Sequence, residues 1–235
     1  MTLTLLKSIT GRVLVESHRG AESLAPANSW RALQIGHQRG ADLLEVDVQL
    51  SADGVAFLRH HYSLPKVTWD EMSRVVIEGE TLPKLEDVLA WARDVDAKLS
   101  LDLKTGFTPE GKLTAEVLRA IERTNTANRV MLLAWDHNEL VRAKNAHPEI
   151  TTRALIRARL ANLPAALTAA RVDCVSLSYD LIRPDDVEQM HALGVAITLA
   201  EMWQPDFDFV AHSGVDIVSW GDPAEAKRRL DDAAK

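Results

Sequence analysis

The chain has 235 residues, 46% of them hydrophobic, which is enough for one well-buried core and gives no reason to expect a second domain. A formal net charge of −7, with no long basic run and no interleaving of aromatic and basic residues, argues against a general nucleic-acid or anionic-membrane binder. A single cysteine, Cys174, excludes an internal disulfide, and no apolar run approaches the ~18 residues of a membrane span, so a cytoplasmic protein without stable membrane insertion is expected.

Short β-rich apolar runs alternate with longer segments of helical period, the pattern of parallel strands joined by crossover helices. The first strand is expected at residues 13–17 and runs into His18-Arg19-Gly20, where the glycine lets the backbone bend after Arg19. Asn28 opens the first crossover helix. The second strand, residues 43–48, carries Glu45 and Asp47. Residues two apart on a strand share a face, so these carboxylates can grip one ion while Val46 points away. Asp53-Gly54 is a turn signal between two short extended runs, a hairpin that swings His60 back over the mouth. The third strand, residues 98–103, holds Asp102, with Lys104 two positions on and on the same face.

Thr108-Pro109 is expected as the cap and first turn of the next helix, and Pro184 opens a later one rich in Asp185, Asp186 and Glu188. The remaining strands fall at residues 130–134, 152–156, 174–177, 196–199 and 217–220. Eight strand–helix units predict a TIM (β/α)8 barrel, one domain over residues 1–235 with a small hairpin after strand two. Active sites of this fold sit at the carboxyl ends of the strands, which is where His18, Glu45, Asp47, Asp102 and Lys104 fall. Trp135, Trp203 and Trp220 fall at or beyond the ends of strands four, seven and eight and can line the same mouth.

Glu45, Asp47 and Asp102 are hard oxygen donors that suit Mg²⁺ or Ca²⁺ rather than zinc. His18 and His60 are expected as general acid and base, in an order that the residues leave open. Arg19 offers a planar fork of donors for phosphate oxygens and Lys104 a compact second charge. His37, His137, His147, His191 and His212 lie on helices or their ends and are expected to be structural, as are Trp30 and Trp91.

Together, His18-Arg19-Gly20, Pro26-Ala27-Asn28-Ser29, Gly40-Ala41-Asp42, Glu45-Val46-Asp47-Val48, Asp53-Gly54 and His60-His61 resemble the glycerophosphodiester phosphodiesterase family. The resemblance is dense up to His60 and thin after Lys104. It implies a metal at Glu45, Asp47 and Asp102, and hydrolysis of a small-molecule glycerophosphodiester to glycerol 3-phosphate and an alcohol, by water or through a cyclic phosphate. Ala27 stands where the family carries glutamate, His61 where it carries aspartate, and Asp102 is one methylene shorter than the usual glutamate. Glu22 is a candidate to replace one missing acid. Rival expectations are a phospholipase D-like enzyme acting on lysophospholipids and a barrel that binds a phosphoester without turning it over. Between His60-His61 and the helix opening at Leu82-Pro83 lie only about twenty residues, so the lid is expected to be small and head groups to be cut within roughly tenfold of each other. The alternative is an aromatic box for choline that includes Trp203 and Trp220.

Overall fold

The computed structural model describes residues 3–61, 67–106, 108–200 and 206–235. After a short helix α1 (Lys7–Thr10), the chain runs β1 (Leu14–Ser17), α2 (Trp30–Gln38), β2 (Leu43–Leu50), β3 (Ala56–Leu58), α3 (Trp69–Met72), β4 (Val76–Ile77), β5 (Glu80–Thr81), α4 (Leu85–Asp94) and β6 (Leu99–Leu103). It continues with α5 (Lys112–Thr124), β7 (Val130–Ala134), α6 (His137–Ala146), β8 (Thr151–Ile156), α7 (Leu163–Ala170) and β9 (Cys174–Ser178). The last elements are α8 (Pro184–Ala192), β10 (Ala196–Ala200), α9 (Phe207–His212), β11 (Ile217–Trp220) and α10 (Pro223–Ala233). Eight strands pair in parallel in the order β1-β11-β10-β9-β8-β7-β6-β2, and β2 returns to β1, so the barrel closes and leaves no edge.

Strand alternation sorts the residues. Val15, Leu44, Val46, Leu101, Leu132, Val175, Ile197 and Val218 face outward into a large core shared with the helices. Leu14, Leu43, Met131, Cys174, Ala196 and Ile217 form a second, smaller cluster with Leu5, against which Leu3 and Leu6 pack. This cluster, which Leu133 also joins, seals the amino-terminal end of the barrel, and on the seven barrel strands other than β7 the next inward positions are more polar: Glu16, Glu45, Ser100, Arg153, Ser176, Thr198 and Ser219. Burial pushes the Cys174 thiol up to about 12, which fits a packing residue and not a nucleophile.

The hairpin follows the expectation, since β2 and β3 pair antiparallel and β3 precedes His60. Residues 67–84 supply a short helix and the two-residue strands β4 and β5. Two helix starts differ from the sequence reading. Asn28 does not cap α2: Ser29 does, accepting from the Ala32 amide, while Asn28 adopts φ +62° and turns its amide to the site. Thr108-Pro109 precedes α5 in a separate turn, and the helix starts at Lys112 after Gly111.

Gly20 and Gly36 draw α2 onto the site strands. Gly20 has φ +87°, and a side chain on Gly36 would place its Cβ 2.0 Å from the Gly20 carbonyl oxygen, so only glycine permits this approach.

Candidate active site

The carboxyl ends of the strands enclose a cavity of about 750 Å³ lined by His18, Arg19, Glu45, Asp47, His60, Asp102 and Lys104. Asp47 and Asp102 are direct register partners on β2 and β6, which is why the shorter Asp102 still reaches the group. One oxygen from each of Glu45, Asp47 and Asp102 lies within 4.8 Å of the others, all three residues being buried. The Asp102 Oδ1 atom is buried without a partner. Hard oxygens, mutual crowding and an unpartnered carboxylate oxygen fit a divalent cation of the Mg²⁺ or Ca²⁺ kind.

The charges around these carboxylates differ in sign and effect. Lys104 donates to Asp47 Oδ1 at 2.8 Å and also pairs with Asp102. Asn28 clamps Asp47 from both sides, donating to Oδ2 at 2.7 Å and accepting from the Asp47 amide at 2.9 Å. Burial works against the Asp47 charge, but Lys104, Asn28 and Arg19 outweigh it and hold the carboxyl below its ordinary value. Glu45 goes the other way: burial first, then the neighbouring Asp47 charge, push it up to about 8 against the pull of His18.

Arg19 sits with φ +49°, and this turn aims its amide at Glu45 Oε2, 2.7 Å away. Its guanidinium lies 3.4 Å from Asp47 and 3.2 Å from Glu22. Glu22 also pairs with His18 Nδ1 and so grips both members of the His-Arg motif. His18 Nε2 lies 3.9 Å from Glu45. Burial disfavours the His18 charge, yet the Glu22 hydrogen bond and the Glu45 charge prevail and leave the imidazole above its ordinary value. His60 goes the other way, lowered by burial first, with Arg19, Lys104 and His61 adding to it and Asp47 opposing. His61 stacks edge-on to His60 at 5.0 Å and also lines the cavity, and Gln49 holds this turn by donating to the Arg59 and His61 carbonyls at 2.6 and 2.7 Å.

Trp135 and Trp220 line the cavity, but the Trp220 indole donates to Glu225 at 3.3 Å and meets Phe207 edge-on at 5.9 Å. Trp203 lies outside the described residues. Trp30 and Trp91 pack edge-to-face at 6.1 Å on the outer helices, as expected.

Two buried charged residues in the cavity escaped the sequence reading. Arg153 reaches across the barrel to Glu16 Oε1 at 2.9 Å and to Thr198 Oγ1 at 3.0 Å. Strand parity held the signal: Glu16 stands two residues before His18 and so shares its face, and Arg153 is the only charged residue of its strand.

A family model described as the glycerophosphoryl diester phosphodiesterase family matches residues 18–222. The chain is 30% identical over 152 residues to the uncharacterized protein YqiK of Bacillus subtilis, a match that covers 57% of this chain and 63%, just under two thirds, of that protein. It is 25% identical over 236 residues to a glycerophosphodiester phosphodiesterase of Caldanaerobacter subterraneus, covering 90% of this chain and 95% of the relative. In shape it is similar to a phosphodiesterase of Oleispira antarctica solved in complex with the product sn-glycerol-3-phosphate, with a TM-score of 0.86, 20% identity, and coverage of 98% of this chain and 100% of that one. At that identity the likeness shows the barrel alone.

Proposed function

The chain belongs to the glycerophosphoryl diester phosphodiesterase family, an enzyme family that cleaves phosphodiesters, and we propose that it hydrolyses glycerophosphodiesters to glycerol 3-phosphate and an alcohol with His18 and His60 as acid and base. The observation that carries this reading is the convergence of three buried carboxylates, two cations and two imidazoles of opposite tendency in one cavity. Binding alone needs no acid–base pair. The relative from Caldanaerobacter subterraneus, a glycerophosphodiester phosphodiesterase matched over 90% of this chain, supports the same reaction.

Glu45, Asp47 and Asp102 would hold the divalent cation, which when bound neutralises phosphate charge and polarises a phosphoryl oxygen. Arg19 and Lys104 add fixed positive charge beside that centre, where charge builds on the phosphoryl oxygens in the transition state. His60, lowered by burial, is neutral at physiological pH and takes a proton from the attacking hydroxyl, of water or of the adjacent glycerol. His18, held by Glu22 and raised, is the better proton donor of the two and delivers its proton to the departing alkoxide. Glu22 is a positioning residue: it fixes the ring and favours the imidazolium.

The test is a Mg²⁺- or Ca²⁺-supplemented assay on glycerophosphocholine, glycerophosphoglycerol, lysophosphatidylcholine and a chromogenic phosphodiester, with products identified. Release of glycerol 3-phosphate from the glycerophosphodiesters is expected. Cleavage of lysophosphatidylcholine alone, or binding without turnover, overturns the proposal.

A further inference from the structure

Three side chains steady Asp47, and they differ in what else they do. Lys104 reaches its Oδ1 at 2.8 Å and also pairs with Asp102, and the Arg19 guanidinium lies 3.4 Å from Oδ2 and 3.2 Å from Glu22. Both line the cavity, and both carry the kind of charge that a substrate phosphate draws on. Asn28 is uncharged, 2% exposed and outside the cavity lining. It reaches Asp47 without touching the space where a substrate sits.

The roles of its two amide atoms follow from their partners, because a backbone N–H must donate and a carboxylate must accept. The Asn28 oxygen therefore faces the Asp47 amide at 2.9 Å, and its nitrogen faces Asp47 Oδ2 at 2.7 Å. One bond grips the backbone of Asp47 and the other its carboxylate, so the torsions between the two are fixed. The Asn28 amide donates to the Arg19 carbonyl at 3.0 Å, and Ser29 beside it caps α2, which ties the His-Arg turn and a helix start to the same point. The backbone here is left-handed, φ +62°, a conformation that asparagine tolerates better than most residues. The other two carboxylates are held differently: Glu45 Oε2 accepts from the Arg19 amide at 2.7 Å, and Asp102 pairs with Lys104.

We propose, building on the metal-dependent phosphodiesterase reading, that Asn28 is a positioning residue that presets Asp47 for the divalent cation, so that Arg19 and Lys104 can turn their charge to the phosphate while the carboxylate stays in place. Loss of such an outer contact costs about ten- to a hundredfold in metal affinity. The defect is separable: cation binding weakens, and the chemistry returns once the cation is in excess.

The test uses Asn28→Gly, which keeps the positive φ and the backbone contact to Arg19 and deletes only the clamp. Calorimetric titration of the metal-stripped protein with Mg²⁺, and separately with Ca²⁺, should give a Kd about ten- to a hundredfold above wild type. The Mg²⁺ concentration for half-maximal turnover of glycerophosphoglycerol should rise in parallel, and kcat at saturating Mg²⁺ should return to within about threefold of wild type. If thermal melts show that Asn28→Gly does not fold, Asn28→Ser, which keeps one hydrogen-bonding atom, carries the same test. In the variant that folds, an unchanged Kd, or a kcat that stays low at saturating metal, overturns the inference. Failure of both variants to fold assigns Asn28 to the fold alone and overturns it as well. If wild type binds the cation but cuts no diester, the phosphodiesterase reading fails, and the calorimetric comparison still decides the role of Asn28. If wild type binds neither cation, the metal assignment falls and the inference with it.

Discussion

Replacing Arg153 by methionine should be among the most damaging single changes in the molecule, although Arg153 belongs to no recognisable motif. Its side chain is 2% exposed and that of Glu16 is 1% exposed, so the ion pair at 2.9 Å is out of water. Glu16 Oε2 and Arg153 Nε have no hydrogen-bond partner, which leaves the pair only partly compensated for its desolvation. Removing one member of such a pair strands the other charge in the barrel and costs about 3–5 kcal/mol. In a domain of this size, each kcal/mol lowers Tm by about 2–4 °C, so Arg153→Met should melt about 6–20 °C below wild type. The double variant Glu16→Leu/Arg153→Met removes both charges, and exchange of a buried ion pair for apolar groups is often neutral or stabilising, so it should recover most of the loss. Differential scanning calorimetry with urea titration reads both effects. A single variant losing less than about 2 kcal/mol, or a double variant as unstable as the single one, refutes the idea that an uncompensated internal charge is what matters here.

Exhaustive chelation should abolish turnover, and Mg²⁺ or Ca²⁺ should restore it and raise Tm, because binding to the folded carboxylate cluster stabilises it; unchanged Tm and activity after chelation and dialysis would remove the metal assignment. His18→Ala and His60→Ala should each cost on the order of a hundredfold in kcat. Since the base must be neutral and its pKa is lowered, while the acid must be protonated and its pKa is raised, kcat/KM should form a bell around neutrality. His60→Ala should lose the acid limb and His18→Ala the alkaline limb. Asp42 is the cleanest stability sensor: burial opposes its charge, but the Arg12 ion pair and the Val15 amide outweigh this and hold its folded pKa below the ordinary value. Its contribution is therefore present above the unfolded pKa and lost as pH falls through the folded one, so Asp42→Asn should flatten the decline of stability below about pH 4, measured by urea melts. Gly36→Ala should lower both Tm and kcat, as its Cβ would collide with the Gly20 carbonyl and push α2 from the strand ends.

The chain itself announced the barrel, because parallel strands buried on both faces must read as short apolar runs and their crossovers as longer amphipathic segments. The strand at Val130–Ala134 and that at Ile217–Trp220 fall where the pattern puts them, and the other six barrel strands lie within two residues of it. The pairing of Glu45 with Asp47 was equally legible, since the two-residue period of a strand is a local property. Helix starts were less secure. Asn28 has the chemistry of a cap, but a contact to Asp47, nineteen residues away, claims its side chain. Sequence also left the order of the two histidines open, because an imidazole's proton affinity depends on burial and on charges brought from other strands: Glu22 and Glu45 around His18, Arg19 and Lys104 around His60. Barrel closure decided the rest. It set Glu16 against Arg153, 137 residues apart, and Trp135 beneath Arg157, from neighbouring strand ends. Such contacts depend on the register and curvature of the whole sheet, which no window of sequence contains.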